Sequence, residues 1–297
     1  MNSDAKEYFW RRMKKKDIAL TEKLLSGIEY EYVSACGRFL NRDESKDSVW
    51  LLTKKSGGVS SLIVNSRSTV IPVLRGVKIL PDLRFFKGFL RSKKIHSIQG
   101  IKNEVLILEE AVKKFGLYPE DTYDYDLMSL EGKQKAGNAE QRIEKKEKIN
   151  IGGRLFDIIL RTPGLSDLDA VAPLRAAYEK EEVIPKGSDF YPAASRVNIA
   201  KIIAGGRILV SEIEGRIVGK INVSSVSFTR FMVGGVYVHP DFRGCGIASL
   251  MASVFINALL SEGKGISLFV KKTNTAARRL YLRLGFKIQN DYRISYY

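Results

Sequence analysis

The segment VYVHPDFRGCGIASLM, residues 236–251, holds the side chains and spacings best suited to chemistry. Pro240 cannot donate to a strand ladder, so it closes the apolar strand that runs into it. Arg243 follows, then Gly244 and Gly246 on either side of Cys245, then Ile247, Ala248 and an apolar helical stretch. A pyrophosphate is held best by several backbone N–H groups converging at a helix N-terminus, where the helix dipole also favours anions. Close approach of backbone to phosphate needs small residues, which Gly244, Gly246 and Ala248 supply. Arg243 adds a charge able to make paired hydrogen bonds to phosphate oxygens. The expected anion cradle is therefore Arg243, Gly244, Cys245, Gly246, Ile247 and Ala248.

Two other phosphate-binding patterns fit less well. A dinucleotide fold wants three glycines and, about 20 residues on, an acidic residue closing a second strand. Here that region is the helix end SEGKG, and Glu262 closes no strand. A P-loop is absent, because no Gly-Lys-Ser/Thr follows the glycines.

A second motif lies about 30 residues downstream: NTAARRLYLRLGF, with Asn274, Tyr281 seven residues later, then Gly285 and Phe286. Together, strand-HPDFRGCGIA-helix and this second motif resemble the two signatures of the GNAT acyltransferase superfamily, with Arg243, Gly246 and Ala248 in its acyl-CoA loop. More narrowly, the chain is similar to bacterial proteins that place another domain ahead of such a module. The resemblance implies an α+β fold on a mixed sheet, acetyl-coenzyme A as cosubstrate, and direct attack of an amine on the thioester. It implies that backbone groups of Val236, Tyr237 and Val238 meet the pantetheine and polarise the thioester carbonyl. That is an oxyanion-hole role, which contributes about 3–4 kcal/mol per donor in other enzymes. It places Asn274 on the pantetheine arm and Tyr281 near the sulfur as general acid; Tyr281 also reads as a buried aromatic of the last helix.

The general base is not evident. Many family members carry an acid on the strand before the loop, but FMVGGV has no ionisable group. Glu179, Glu181 and Glu182 in YEKEEV stand in as acceptor-site carboxylates, with Glu181 and Glu182 preferred; the alternative is a solvated helix end. Asp189, Tyr191 and the carboxylate of Tyr297 are weaker candidates. His239 precedes proline at a strand exit and reads as solvent-facing. With His96 the only other histidine and Cys36 the only other cysteine, no metal site is expected. A non-catalytic acyl-CoA sensor is the rival function.

The elements that must position these groups are legible in outline. Beyond residue 153, strand FDIILRTPG, a helix with Ser166 as N-cap, a second helix, three strands, the loop and its helix, a strand, a helix and a final strand follow in turn. We expect an N-terminal α/β domain over 1–131, a charged linker over 132–153 and the acyltransferase domain over 154–297. The first domain opens with a helical stretch from Tyr8 to Leu40 and then repeats much the same order. We therefore expect a diverged second copy of the fold, lacking a phosphate loop because LPDLRFFKGF has one glycine.

An apolar fraction of 44% excludes a disordered chain, and no run approaches the roughly 18 apolar residues of a membrane span. The first residues hold no apolar leader, so a cytoplasmic protein is expected. The net charge of +16 invites a nucleic-acid partner, yet each half of the chain carries +8, without a basic tail. A polyanionic coenzyme accounts for the excess as well, and nucleic acid is the lesser reading. Oligomeric state is open.

Overall fold

The computed structural model describes residues 7–78, 80, 81, 83–92, 94–132, 142–185 and 187–297. The first six residues and 133–141 of the expected linker lie outside the described residues. By contact the chain forms two compact units. One is the chain up to Met128 together with Phe269–Arg278 and Lys287–Tyr297; the other is Ser129–Leu268 with Arg279–Phe286.

The first unit runs β1 (Tyr8–Arg12), a 3-10 turn (Lys15–Asp17), α1 (Ile18–Ser26), α2 (Glu29–Leu40), β2 (Ser48–Lys54), β3 (Val59–Ser66), β4 (Thr69–Val73), α3 (Leu83–Ser92), β5 (Ser97–Ile101), α4 (Lys102–Lys113) and β6 (Asp121–Leu130). β1 to β4 form an antiparallel meander, and β4 pairs parallel with β5 across the α3 crossover. β1 corrects the expectation of helix from Tyr8 onward. Trp10 is buried against Phe85 and Phe86 while its neighbours Phe9 and Arg11 are not, and all five residues pair with β2.

After the linker come β7 (Glu144–Ile151), β8 (Arg154–Arg161), a 3-10 turn (Leu165–Asp167), α5 (Leu168–Tyr178), a π-helical turn (Glu179–Val183), α6 (Pro192–Ala204), β9 (Ile208–Ile213), β10 (Arg216–Val226), β11 (Arg230–Val238), α7 (Ile247–Leu260), β12 (Gly265–Lys271), α8 (Thr275–Arg283) and β13 (Lys287–Tyr296). β7 to β11 are antiparallel in sequence, and β11 pairs parallel with β12. β7 occupies much of the expected linker. Gly152 and Gly153, both at positive φ, turn the chain so that its charged residues pair with β8 as a hairpin. β13 is a strand, as expected, but it belongs to the first unit, where it pairs antiparallel with β5.

In sequence, residues 8–113 and 154–283 therefore share one order: strand, two helices, three antiparallel strands, helix, parallel strand, helix. They share a side-chain device too. In the first, Arg11 grips Asp17 through both guanidinium nitrogens, at 2.7 and 2.9 Å, while the Lys14 N–H donates to the same carboxylate. In the second, Arg161 grips Asp167 at 2.8 Å through both nitrogens, and the Gly164 N–H donates likewise. The offset of 150 residues is the same at all three positions. This device replaces Ser166 as the expected cap, since Asp167 closes the turn that leads into α5.

In the second unit, α5 and α6 cover one face of the sheet through Val171, Leu174, Ile199 and Ile203, which pack on Ile208 and Val210. Met251, Phe255 and Leu259 are the buried stripe of α7. Among the described residues no helix is long and apolar enough to cross a membrane.

Candidate active site

β11 is paired unequally along its two edges. Its register with β12 ends at Val233 and Leu268, whereas its register with β10 continues to Val238. Residues 234–238 thus project beyond the last β12 pair, and any backbone group there that faces β12 has no ladder partner. Val236, Tyr237 and Val238 lie on this stretch. The Gly234-Gly235 pair interrupts the β10 ladder: Lys220 opposes Tyr237, but Asn222 opposes Gly234, so β11 carries one extra residue and bulges. Gly235 takes φ +62°, and a Cβ there would fall 2.2 Å from Asn222 Oδ1.

The strand runs into a short 3-10 turn, Pro240–Phe242, and then the glycine loop. Gly244 and Gly246 adopt φ +78° and +84°, and a Cβ on either would meet nothing within 4 Å. The surface above the loop is open on both glycines. Gly246 is the left-handed N-cap of α7, and no side chain caps the helix, so its first turn presents backbone N–H groups to whatever lies there. Ile247 is buried and anchors the helix, while Ala248 is half-buried. Small residues, open space and an uncapped helix start are what a pyrophosphate requires.

Arg243 turns back from this loop. Its Nε donates to the Val238 carbonyl at 2.9 Å, a terminal nitrogen lies 2.8 Å from Glu181 Oε2, and its guanidinium stands 5.0 Å from the Tyr237 ring centre. The Tyr237 hydroxyl donates to the same carboxylate at 2.7 Å. Burial pushes the Glu181 carboxyl upward, but the two hydrogen bonds and the Arg243 charge outweigh it and hold the group below its usual range. Tyr237 is correspondingly raised by burial and by its bond to Glu181.

The three glutamates of the π-helical turn differ. Glu179 is buried and engages Arg175 Nε at 2.7 Å. Glu181 is exposed, and Glu182 is half-buried. Tyr281 is almost wholly buried beside Phe286, edge to face at 5.7 Å. Burial raises its hydroxyl well above the ordinary tyrosine value, with lesser contributions from Tyr178 and the Glu182 charge. Asn274 caps α8, its Oδ1 accepting from the Ala277 N–H at 3.0 Å.

Other candidates separate from this cluster. His239 Nδ1 accepts from the Asp241 N–H and Nε2 lies 3.0 Å from Arg216, so the ring is tied to the strand exit. Cys245 is half-exposed in the loop. Tyr191 is exposed at the start of α6, Asp189 is exposed, and Tyr297 packs against the core of the first unit.

Sequence reasoning missed Lys220. It is fully buried on β10, with Nζ 2.7 Å from the Gly235 carbonyl and 4.7 Å from the Tyr178 ring centre. The signal was present: a lone lysine in the apolar run RIVGKINV, and a glycine pair inside a strand, which marks a bulge.

The family model described as Acetyltransferase (GNAT) family matches residues 173–286. Those residues are a GNAT domain. An acetyltransferase of Sodalis glossinidius (strain morsitans) is 34% identical over 84 residues, 28% of this chain and 58% of that protein. The chain thus spans little more than half the length of that relative. Among solved structures, the whole chain is similar to a GCN5-related N-acetyltransferase from Sphaerobacter thermophilus, with a TM-score of 0.61, 17% identity, and coverage of 99% of this chain and 96% of that one. It is also similar to a tandem GNAT protein from the clavulanic acid biosynthesis pathway, with a TM-score of 0.55, 11% identity, and coverage of 97% and 98%. At those identities the likeness is one of fold. It extends over the first unit as well as the GNAT domain, in keeping with the repeated element order.

In the first unit the register of β4 with β5 ends at Val70 while its register with β3 runs on to Val73, and the difference from the GNAT domain lies in a side chain. The corresponding strand, β4, carries Pro72, which has no N–H, and the Pro72 ring lies 3.5 Å from where a Cβ on Gly100 of β5 would stand.

Proposed function

We propose that the GNAT domain transfers the acetyl group of acetyl-CoA to the primary amine of a small molecule or peptide. The observation that carries this reading is the projection of residues 234–238 beyond β12, leading directly into an open glycine loop. The amine nitrogen attacks the thioester carbonyl, the carbon–sulfur bond breaks, the amine gives up one proton, and the departing thiolate takes up another. Val236, Tyr237 and Val238 supply backbone groups to the pantetheine and thioester. Gly244, Cys245, Gly246, Ile247 and Ala248 supply them to the pyrophosphate, with Arg243 adding charge, and Asn274 meets the pantetheine arm.

Tyr281 supplies the proton to the departing thiolate; burial favours its protonated form, so the hydroxyl carries that proton at neutral pH. Glu182, close enough to Tyr281 and Tyr178 to raise both, accepts the amine proton. Glu181, with its basicity lowered by Tyr237 and Arg243, suits the attraction of a cationic acceptor better than proton abstraction. The first unit, whose β4 carries Pro72 without an N–H just past its last pair with β5, binds no CoA.

Calorimetric titration of acetyl-CoA into wild type, Arg243→Glu and Gly246→Glu tests the reading. Stoichiometric binding by wild type and none by either variant is expected; equal binding by all three would sink it. A non-catalytic acyl-CoA sensor is the second reading, favoured by the lack of an ionisable side chain on Phe231–Val236. It predicts that a broad screen of amines releases no CoA.

A further inference from the structure

Resting on the acyl-transfer reading, we infer that Lys220 is a positioning residue for the thioester: its amine holds the Gly235 carbonyl and thereby aims the Val236 N–H. The geometry is direct. Nζ donates to the Gly235 oxygen at 2.7 Å. A trans peptide is planar, with its C=O and N–H on opposite sides. Fixing the oxygen of the Gly235–Val236 peptide therefore fixes the direction of the Val236 N–H. A donor pulling on the oxygen also polarises the whole amide, which strengthens the N–H at its other end.

Besides the Gly235 oxygen, Lys220 Nζ faces the Tyr178 ring, 4.7 Å from its centre. The lysine lies on β10 among apolar neighbours and is fully buried, where an amine is costly unless it serves a specific contact. The peptide it holds lies in a bulge, where the β10 register is broken between Asn222 and Lys220. A second tie acts on the same residue: Tyr178, on α5, shares a hydrogen bond with the Gly235 backbone. Both ties act on Gly235. Burial pushes the Lys220 ammonium well below its ordinary value, with Arg175 adding to the fall and Glu179 opposing it. The amine remains a donor in either protonation state.

Infrared spectroscopy of carbonyl-labelled acetyl-CoA bound to wild type, Lys220→Met and Tyr178→Phe reads this directly, and CoA affinity is measured in parallel. In wild type the bound carbonyl stretch should move to lower frequency than in water. Lys220→Met should lose most of that shift while binding CoA within about threefold of wild type. Tyr178→Phe should lose part of it. A full shift in Lys220→Met would overturn the inference and leave the acyl-transfer reading intact. Absence of CoA binding by wild type would overturn the reading itself. Should Lys220→Met fail to fold, Tyr178→Phe decides on the same readout, with an undiminished shift counting against the inference.

Discussion

Arg243 reaches back from the glycine loop to Glu181 on the acceptor-side turn, nitrogen to oxygen at 2.8 Å. One end of that pair belongs to the proposed phosphate cradle and the other to the proposed acceptor site. A phosphate drawing on Arg243 competes with Glu181, and an acceptor cation drawing on Glu181 competes with Arg243. Both side chains are nearly half exposed, so the pair is worth no more than about 1 kcal/mol. Glu181→Gln should therefore tighten acetyl-CoA binding by about two- to fivefold, as read by calorimetry. Weaker binding in that variant would mean that the carboxylate supports the loop rather than competes for it.

Tyr281 and Glu182 carry the proposed proton transfers. Tyr281→Phe removes one oxygen from a buried ring and leaves its packing on Phe286 in place. Steady-state kinetics on an acceptor found by screening should show kcat lowered about a hundredfold, with the acetyl-CoA dissociation constant unchanged. Glu182→Gln should lower kcat by a similar order at neutral pH, with less effect at high pH, where the free amine is abundant. A Tyr281→Phe variant that loses thermal stability but no activity would show the tyrosine to be packing alone.

The two thiols make an internal control for the loop. Cys36 is fully buried, and burial pushes its thiol well above the ordinary value, so it should resist alkylation in the native protein. Cys245 is half-exposed between Gly244 and Gly246. Iodoacetamide should label Cys245 alone, and saturating CoA should slow that labelling at least about tenfold by covering the loop. Equal labelling with and without CoA, read by mass spectrometry, would place the nucleotide elsewhere.

The repeated arginine–aspartate clamp predicts an acid limb of stability. Asp17 is lowered to about 2, chiefly by its hydrogen bonds from Arg11, against the opposing effect of burial. A carboxyl whose folded pKa lies below its unfolded value stabilises the protein above the unfolded pKa. That stability is lost as pH falls from about 4 toward about 2. Discounted for solvent screening, Asp17 contributes about 1–2 kcal/mol at neutral pH. Urea unfolding of wild type and Asp17→Asn should differ by that amount at pH 7 and converge as pH falls to about 2. Asp167 is lowered by Arg161 in the same way, so Asp167→Asn should show the same direction and convergence.

The loop was legible because its physics is local. Gly244 and Gly246 are followed at once by an apolar helix, and positive φ at both is what that sequence demands. Tyr8–Arg12 was misread because Trp10 fits a helical and a strand pattern equally; only Leu52 across the ladder and Phe85 against its ring decide for a strand. Residues 144–151 looked like a linker because an edge strand keeps its charge. Lys220 lay hidden for another reason. Its meaning depends on Gly235, fifteen residues away, and on a break in register that no periodicity reveals.

The placement of β13 has a consequence during synthesis. The strand that pairs with Ser97–Ile101 is Lys287–Tyr296, so a ribosome must translate nearly two hundred further codons before that edge finds its partner. Nascent chains usually mature from the amino end as each domain emerges. Here the earlier unit stays unfinished until that strand is made, and deleting Lys287–Tyr296 would harm the strand at residues 97–101 although nearly two hundred residues separate them.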